Sequence, residues 1–343
     1  MDKKIIAREA EPASARPTLK TIAFMTGLGV TTVSRALKDA PDIGEETRRR
    51  VQLVARQVGY RPNRAGVRLR TGKTNVISLV LNTDEQIMSF VSDIIYGISE
   101  TLADTPYHLI VTPYSIRNDP LAPVRYVVET ASADGIIISR TEPDDARVHY
   151  MHERGFPFAT HGRTETGIEH PFHDFDNALF ARQAVERLAG LSRRRLALLG
   201  PPANLTYHRH MGDGFADAVT EAGVASHSMR AMSIDRPFDE IREGIAAIMR
   251  GSARPDGFVC GAGGACMALV AGIEQAGLKL GRDVDVVSKQ SSDLLQWFRP
   301  ELHVVDEDFR LAGRELARAV LASISGTAPR DLQTLARPEA VEP

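Results

Sequence analysis

The most constraining feature of this chain lies near its start, where residues 18–38 contain two short amphipathic segments on either side of the turn residues 26–29. Thr18 can cap the first predicted helix through its side-chain oxygen. A second helix is predicted to begin near Val30. Two helices joined by a tight glycine turn form a helix-turn-helix, whose second helix enters the DNA major groove. The apolar positions of the first helix, spaced for one buried face, are Leu19, Ile22, Ala23 and Met25.

The predicted second helix divides into a buried face and an exposed face. Val33, Ala36 and Leu37 face a small core, which leaves short polar side chains and one arginine on the other side. These side chains suit DNA, because threonine can contact a polar base edge or a thymine methyl and arginine pairs with guanine. A plain three-helix bundle without a DNA role is the alternative. The predicted exposed residues are Thr31, Thr32, Ser34 and Arg35.

Charge is divided unevenly along the 343 residues, although the net charge is only −2. Residues 16–73 contain 13 Lys and Arg against 4 Asp and Glu, whereas the remaining residues contain 29 against 40. A third helix is predicted over residues 45–58, with Arg48, Arg49 and Arg50 toward phosphates. A basic head on an acidic body favours nucleic-acid binding, because only the head is attracted to phosphate.

Composition limits the other classes of protein. The two cysteines, Cys260 and Cys266, are too few for a disulfide scaffold and fit a reducing cytoplasm. The sequence contains no run of 18 or more apolar residues, so no membrane span is predicted. Residues 1–16 lack the apolar core of a secretory signal and are predicted to form a flexible tail. We therefore expect a cytoplasmic protein that does not enter the membrane.

A short basic segment follows the three predicted helices. Pro62 closes the preceding helix, and Asn63 can cap a new one. Residues 64–70 have room for only about two helical turns, which is marginal in water, and Gly66 weakens them further. This helix is therefore expected to order only when a partner supports it.

In these motifs the chain resembles the lactose-repressor (LacI/GalR) family, over about residues 17–340. The resemblance is carried by the threonine-led first helix, the TVSR segment 32–35, the GYRPN segment 59–63 and Leu69 ahead of TGKT. It implies a homodimer on a pseudo-palindromic double-stranded DNA operator. Gly29 and Gly44 depart from the family pattern, which has a serine cap at both positions.

The resemblance also assigns roles to individual residues. Val30, Thr31 and Arg35 match the base-reading positions of the family. Leu69 matches a leucine that is wedged into the central base step, where an apolar side chain costs unstacking energy and permits a bent DNA. Leu69→Ala is expected to weaken operator binding and to leave ligand affinity intact. The candidate DNA-binding residues are Thr18, Val30, Thr31, Thr32, Ser34, Arg35, Asn63, Arg64 and Leu69.

Strands and helices alternate through the rest of the chain. The apolar run at residues 76–81 is typical of a parallel strand buried on both faces, and the pattern restarts at residues 156–160. This repetition predicts two doubly wound lobes with right-handed crossovers. Further strands are predicted at 107–112, 134–138, 195–199, 257–260 and 284–287, and helices at 89–104, 121–132, 177–190 and 212–223.

The predicted fold class is a small all-α helix-turn-helix head plus an α/β body of two doubly wound parallel-sheet lobes, which the resemblance makes periplasmic-binding-protein-like. The predicted boundaries are a flexible tail over 1–16, the helix-turn-helix domain over 17–61, a hinge helix and linker over 62–73, an N-terminal lobe over 74–161 with about 291–322, and a C-terminal lobe over 162–290 with about 323–340.

A ligand site is expected between the lobes, because such sheets bind ligands beyond the carboxyl ends of their strands. Phe90 can stack on a sugar face, and Arg163 matches a common ligand clamp of the family. The family usually has aspartate where this chain has Gly263 and Gln290. With Lys289 beside them, an acidic or phosphorylated ligand and a neutral sugar both remain open. The candidate ligand-binding residues are Ser89, Phe90, Arg163, Asp176, Asn177, Tyr207, Arg209, Lys289 and Gln290.

The expected function is a sequence-specific transcription regulator, a repressor of a carbohydrate-uptake or catabolic operon that senses a sugar or sugar derivative. One alternative is a solute-binding protein of the same body fold, which would need an export signal and no basic head. The other is an enzyme of sugar metabolism, which would need a catalytic constellation that the sequence lacks. No cofactor or metal is expected. The glycines at 72, 261, 263 and 264 do not complete a nucleotide-binding motif. The spacing of the histidine pairs 149/152, 170/173 and 208/210 is weak evidence for a metal, which needs convergent ligands.

Overall fold

The computed structural model describes residues 17–60, 68, 72–82, 90–115, 118–229 and 232–340. The chain divides into two compact units, Met1–Thr74 and Asn75–Pro343, which we call the head and the body. Across the described ranges, no helix combines the length and apolarity that a membrane crossing requires.

The head is built from short helices with well-defined ends. Thr18 caps the first helix in a reciprocal hydrogen-bonded box with Thr21. Gly27 ends that helix at a φ of 68°, a left-handed conformation that glycine adopts without strain. The second helix begins at Val30, as the sequence predicts. The described helices of the head are α1 (Leu19–Thr26), α2 (Val30–Ala36) and α3 (Glu45–Gln57).

The predicted apolar face of α1 is wrong at one position. Met25 is 50% exposed, and the neighbouring Thr26 is buried instead. The Thr26 hydroxyl donates to the carbonyl of Ile22 at 2.7 Å, so its polar atom is satisfied inside the core. The fully or nearly fully buried residues of the head core are Ile22, Ala23, Val33, Ala36, Val51 and Ala55.

The body alternates strands and helices along its described residues, as the sequence predicts. Its strands are β1 (Val76–Asn82), β2 (His108–Tyr114), β3 (Gly135–Ile138), β4 (Phe158–His161), β5 (Phe172–Phe175), β6 (Arg195–Leu199), β7 (Ala225–His227), β8 (Gly257–Cys260), β9 (Asp285–Gln290), β10 (His303–Asp306) and β11 (Gln333–Ala336). Its helices are α4 (Phe90–Leu102), α5 (Leu121–Glu129), α6 (Ala146–Glu153), α7 (Asn177–Gly190), α8 (Thr206–Glu221), α9 (Phe238–Met249), α10 (Gly263–Gln275), α11 (Leu294–Phe298) and α12 (Phe309–Ile324).

The strands form one parallel sheet in each lobe. The first-lobe sheet has the order β11-β5-β4-β3-β1-β2, and the second-lobe sheet has the order β10-β9-β8-β6-β7. In β1 all seven residues are buried, which agrees with a strand covered on both faces. The chain leaves the first lobe after β5 and returns after β10.

These crossings differ from the predicted lobe boundaries. Strand β5, predicted in the C-terminal lobe, pairs with β4 of the first lobe, and β11 pairs with β5 in the same sheet. Strand β10, predicted in the N-terminal lobe, pairs with β9 of the second lobe. These three strands have four residues each, and pairing with a distant strand rather than local pattern decides their sheet.

Two glycines let α4 and α12 approach closely in the first lobe. A Cβ on Gly97 would lie 2.0 Å from the carbonyl oxygen of Arg310, and a Cβ on Gly313 would lie 2.3 Å from that of Ile94. No larger residue fits at either position without moving a backbone. This contact brings together the first residues of the two helices, Phe90 and Phe309.

Candidate functional site

The exposed face of α2 presents most of the residues predicted to read DNA. Val30 is 41% exposed, Thr31 and Arg35 are exposed, and Thr32 and Ser34 are half-buried. Arg35 Nη2 lies 2.5 Å from Asp42 Oδ1, and both side chains are about half exposed. Three further predicted DNA contacts, Asn63, Arg64 and Leu69, lie outside the described residues.

The arginine run of α3 divides between two tasks. Arg48 donates to the carbonyl of Ile43 at 3.0 Å, and Arg50 donates to the carbonyl of Thr26 at 2.9 Å. These two side chains therefore hydrogen-bond within the head. The sequence instead predicts that all three arginines extend toward phosphates. Arg49 is exposed, and its orientation toward phosphates stays a prediction.

A cavity of the body lies at the carboxyl ends of strands from both lobes. It contains about 680 Å³ of empty space, part of which is open to solvent. We call it the cleft. Its lining residues are Phe90, Ser139, Arg140, Thr141, His161, Gly162, Asp174, Asn177, Tyr207, Gly261, Ala262, Gly263, Lys289, Gln290, Ser291, Glu307 and Phe309.

The first-lobe side of the cleft is aromatic. The rings of Phe90 and Phe309 meet edge to face at a centroid distance of 4.9 Å. His161 packs against both, at 5.5 Å from Phe90 and 5.9 Å from Phe309. Loss of solvation, assisted by the nearby His173, lowers the pKa of His161 to about 3. The imidazole is therefore neutral near pH 7 and can exchange hydrogen bonds with a ligand.

The second-lobe side is polar, and its cation is already neutralised. Lys289 Nζ donates to Asn177 Oδ1 at 2.8 Å and lies 2.7 Å from Glu307 Oε2. The ammonium also lies 5.7 Å from the ring centroid of Tyr207, a favourable cation–π distance. Asn177 and Glu307 directly follow the two crossings between the lobes, so Lys289 ties these crossings together.

The remaining charges of the cleft are also paired. Asp174, which lines the cleft, has its Oδ2 atom 2.6 Å from Nε of Arg163, which does not line it. Arg140, which follows β3 of the first lobe, forms an ion pair with Asp235 of the second lobe. These pairs balance the charge of the cleft.

Ser139 Oγ and Gln290 Oε1 are buried polar atoms of the cleft that lack a hydrogen-bond partner within the described part of the chain, on residues that are 1% and 3% exposed. An unsatisfied buried polar atom is costly, and a bound hydroxyl would satisfy each of these. The other amide atom, Gln290 Nε2, donates to Asp306 at 2.9 Å.

The cleft contains five of the nine predicted ligand residues, namely Phe90, Asn177, Tyr207, Lys289 and Gln290. Ser89 lies outside the described residues. The remaining three do not line the cleft: Arg163 pairs with Asp174, Asp176 caps α7, and Arg209 pairs with Glu165.

Sequence reasoning missed several lining residues. Ser139, Arg140 and Thr141 follow strand β3, and their position after an apolar strand was the available signal. Glu307 and Phe309 stand at the return crossing, which the predicted boundaries placed elsewhere. Within the described ranges no group of three or more His, Cys, Asp or Glu side chains could hold a metal.

A helix-turn-helix head and a two-lobed α/β body with a polar cleft define the class of ligand-sensing DNA-binding regulators. The chain matches the lacI family of bacterial regulatory proteins over residues 18–63 and the periplasmic-binding-protein-like domain over residues 185–342. It is 30% identical to the HTH-type transcriptional regulator AglR of Rhizobium meliloti (strain 1021) over 337 residues, which cover 94% of this chain and 92% of AglR. The chain belongs to the LacI family and is a DNA-binding transcription regulator, not an enzyme.

Further relatives agree in sequence and in fold. The HTH-type transcriptional regulator RafR of Escherichia coli is 33% identical over 331 residues, 92% of this chain and 94% of RafR. The lac repressor dimer bound to operator and the anti-inducer ONPF has a TM-score of 0.81 at 19% identity, covering 96% and 98% of the two chains. The CelR–cellobiose complex has a TM-score of 0.69 at 23% identity, covering 94% and 98%. These two structures support the fold.

Proposed function

We propose that this protein is a cytoplasmic, homodimeric repressor of a carbohydrate-uptake or catabolic operon, and that a neutral sugar or sugar derivative in the cleft controls its DNA affinity. The observation that carries the ligand class is the balanced charge of the cleft. A phosphorylated or acidic ligand needs a cation without a partner, whereas Lys289 and Arg140 already have carboxylate partners. The cellobiose in the related CelR structure is consistent with this class of ligand.

The two sides of the cleft suit the two aspects of a sugar ring. The rings of Phe90 and Phe309 offer an apolar surface for the C–H face, and His161 adds a neutral polar edge. The open acceptors Ser139 Oγ and Gln290 Oε1 can receive ring hydroxyl groups. Such a mixture of aromatic contact and fixed polar groups is typical of small-molecule sites.

A homodimer is proposed because one helix-turn-helix reads only one half-site. The outer edge of the first lobe supports this assembly. Strand β2 is the edge strand of its sheet, and it exposes Ile110 and Val111. On α4 of the same lobe, Tyr96 is 60% exposed. Exposed apolar side chains at a sheet edge favour association with another chain.

The proposed mechanism is a population shift. A sugar that contacts both lobes prefers one arrangement of the two crossings, which Lys289 links through Asn177 and Glu307. That preference is passed to the paired hinge segments that include Leu69, which lies outside the described residues. By linkage, operator DNA changes sugar affinity by the same factor.

The test combines thermal unfolding of the full-length protein with gel-shift titrations on the DNA upstream of its own gene. Neutral sugars are expected to raise the melting temperature by mass action and to change operator affinity in the gel shift, whereas sugar phosphates are expected to do neither. Leu69→Ala is expected to weaken operator binding and to leave sugar affinity unchanged. Equal affinity for every duplex, with or without sugars, would contradict the regulatory role. Tighter binding of sugar phosphates would contradict the ligand class.

A further inference from the structure

The two lobes of the body touch directly beside the cleft, apart from the crossings of the chain. Arg140, which lines the cleft, forms its ion pair with Asp235 of the second lobe. Next to it, the backbone N–H of Thr206 donates to the carbonyl of Thr141 at 2.9 Å. We call these contacts the seam, which also includes the hydrogen bond from Asn204 to Glu142 and the ion pair between Arg209 and Glu165. Both partners of every contact are protein groups, so the seam stabilises the closed arrangement of the lobes without help from an effector.

We propose that the ion pair between Arg140 and Asp235 is a latch, which holds the two lobes together at the cleft whether or not an effector is bound. The effector then acts on lobes that are already closed, and the latch sets how readily they open. The proposal rests on the proposed function, because it takes the cleft as the effector site.

The backbone of Arg140 is held in an unusual conformation by a buried ion pair. Its φ is 56°, in the left-handed region that residues with a side chain rarely adopt. Such a conformation persists only where neighbouring groups hold it. Here Arg147 Nη2 donates to the carbonyl of Arg140 at 2.9 Å and lies 2.7 Å from Asp145 Oδ2. The side chains of Arg147 and Asp145 are 3% and 2% exposed, so the loop presents Arg140 to the second lobe from a buried base.

A buried ion pair between two lobes can open and close reversibly. The side chains of Arg140 and Asp235 are 5% and 19% exposed. The cost of removing the two charges from water offsets much of their attraction, and both charges regain water when the lobes separate. Loss of one partner changes this balance, because the remaining charge is stranded in the closed arrangement and hydrated in the open one. A variant that lacks the Asp235 carboxylate should therefore shift toward the open arrangement.

The backbone N–H of Thr206 reports directly on the seam. Thr206 is the first residue of α8, where an N–H group has no partner within the helix. It donates instead to Thr141 of the other lobe, and Thr206 is 1% exposed. Exchange of this hydrogen for deuterium therefore requires the seam to open. Mass spectrometry of the full-length protein, with no ligand added, can follow this exchange at residue resolution.

Asp235→Asn is expected to speed exchange at Thr206 by about tenfold or more, because opening hydrates the stranded Arg140. The amides of β8, which is paired with a strand on each side, should keep their rate. Arg140→Gln combined with Asp235→Asn strands no charge, so exchange at Thr206 should fall back toward the rate of the unaltered protein. Glu240→Gln is the matched control, because Glu240 pairs with Arg236 within the second lobe and both side chains are exposed. It should leave exchange at Thr206 unchanged.

Three outcomes would overturn the latch. They are an unprotected Thr206 amide in the unaltered protein, an unchanged rate at Thr206 in Asp235→Asn, and an equal rise in rate at Thr206 and throughout β8. The last outcome would mean that the ion pair supports the folding of the body and not the contact between its lobes. Since no ligand is added, these outcomes leave the proposed effector class standing, and failure of every sugar to bind leaves the latch standing.

Discussion

The head and the body hold their functional charges in opposite environments. In the head, the side chains of Arg35 and Asp42 are 53% and 48% exposed, whereas in the body those of Lys289 and Glu307 are 6% and 12% exposed. An exposed ion pair contributes little to folding, but a buried pair that loses one member leaves an uncompensated charge. The head can therefore change which sequence it reads without losing its fold, whereas ligand specificity in the body is tied to stability.

The largest expected effect comes from Lys289→Met. This change leaves the Glu307 carboxylate buried without its ammonium partner, so the free energy of unfolding should fall by about 3–5 kcal/mol. Urea unfolding can be followed by circular dichroism, because the single tryptophan, Trp297, is already 86% exposed in the folded body. Lys289→Met combined with Glu307→Gln should recover part of the loss, because the stranded charge is removed. A loss below about 1 kcal/mol for the single variant would place this pair in the same regime as an exposed one.

Arg35→Ala sharpens the comparison from the side of the head. Loss of an arginine that is predicted to pair with guanine should reduce discrimination between operator and non-specific DNA by about 1–3 kcal/mol. The free energy of unfolding should change by no more than about 0.5 kcal/mol, because the side chain is half exposed. Gel-shift titrations at fixed salt measure the first quantity, and urea unfolding measures the second.

Asp42→Asn is the companion variant, since it keeps the shape of the side chain next to Arg35 and removes its charge. We expect a smaller loss of discrimination, because the carboxylate at 2.5 Å positions the guanidinium. Tighter operator binding by Asp42→Asn would show that the carboxylate competes with DNA for Arg35 instead.

Acid should destabilise the body through His161, whose imidazole is desolvated in the folded state. The pKa of His161 is about 3 in the folded body, below the ordinary 6.5, so the unfolded chain binds more protons between these values. The stabilising contribution is therefore complete above about pH 6.5 and is lost as the pH falls toward 3, by up to about 1.4 kcal/mol per pH unit. Urea unfolding at pH 7 and pH 5 should differ by about 2 kcal/mol from this residue alone. An unchanged pH dependence in His161→Phe would contradict this assignment.

Much of the fold follows from local patterns in the sequence. The start of α2 at Val30 is encoded by the change from glycine turn to amphipathic helix, and β1 is encoded by its unbroken apolar run. Both signals lie within a few residues of the feature they predict. The exposed face of α2, which is predicted to read DNA, is similarly evident in the sequence, because its side chains share one short helix.

The sheet membership of β5, β10 and β11 could not be predicted in this way. Each is short, and its neighbour in the sheet is decided by long-range pairing. The lining of the cleft is harder to predict from sequence for the same reason. Ser139 and Glu307 come together from distant segments, and neither belongs to a spaced motif. Local pattern also could not show that Arg163 forms an ion pair with Asp174, in which Nε and Oδ2 are 2.6 Å apart.

The smallest expected effect comes from Gly29→Ser, a variant that distinguishes the stability of the head from its contact with DNA. Gly29 precedes α2 without a side-chain cap hydrogen bond, at a φ of −67° and ψ of 146° that any residue adopts. A Cβ there would meet only Thr32 Oγ1, at 3.8 Å, so Gly29→Ser fits and should stabilise the head by a few tenths of a kcal/mol.

Gly44→Ser is the matched control, because Gly44 precedes α3 in the same uncapped state and has open space around its Cβ position. Both variants should gain similar stability in thermal unfolding. Only Gly29→Ser adds a hydroxyl at the start of the reading helix, where a phosphate can accept its hydrogen bond, so only this variant should also bind operator more tightly. An equal gain in operator affinity for both variants would mean that helix order, and not a new phosphate contact, limits DNA binding by the head.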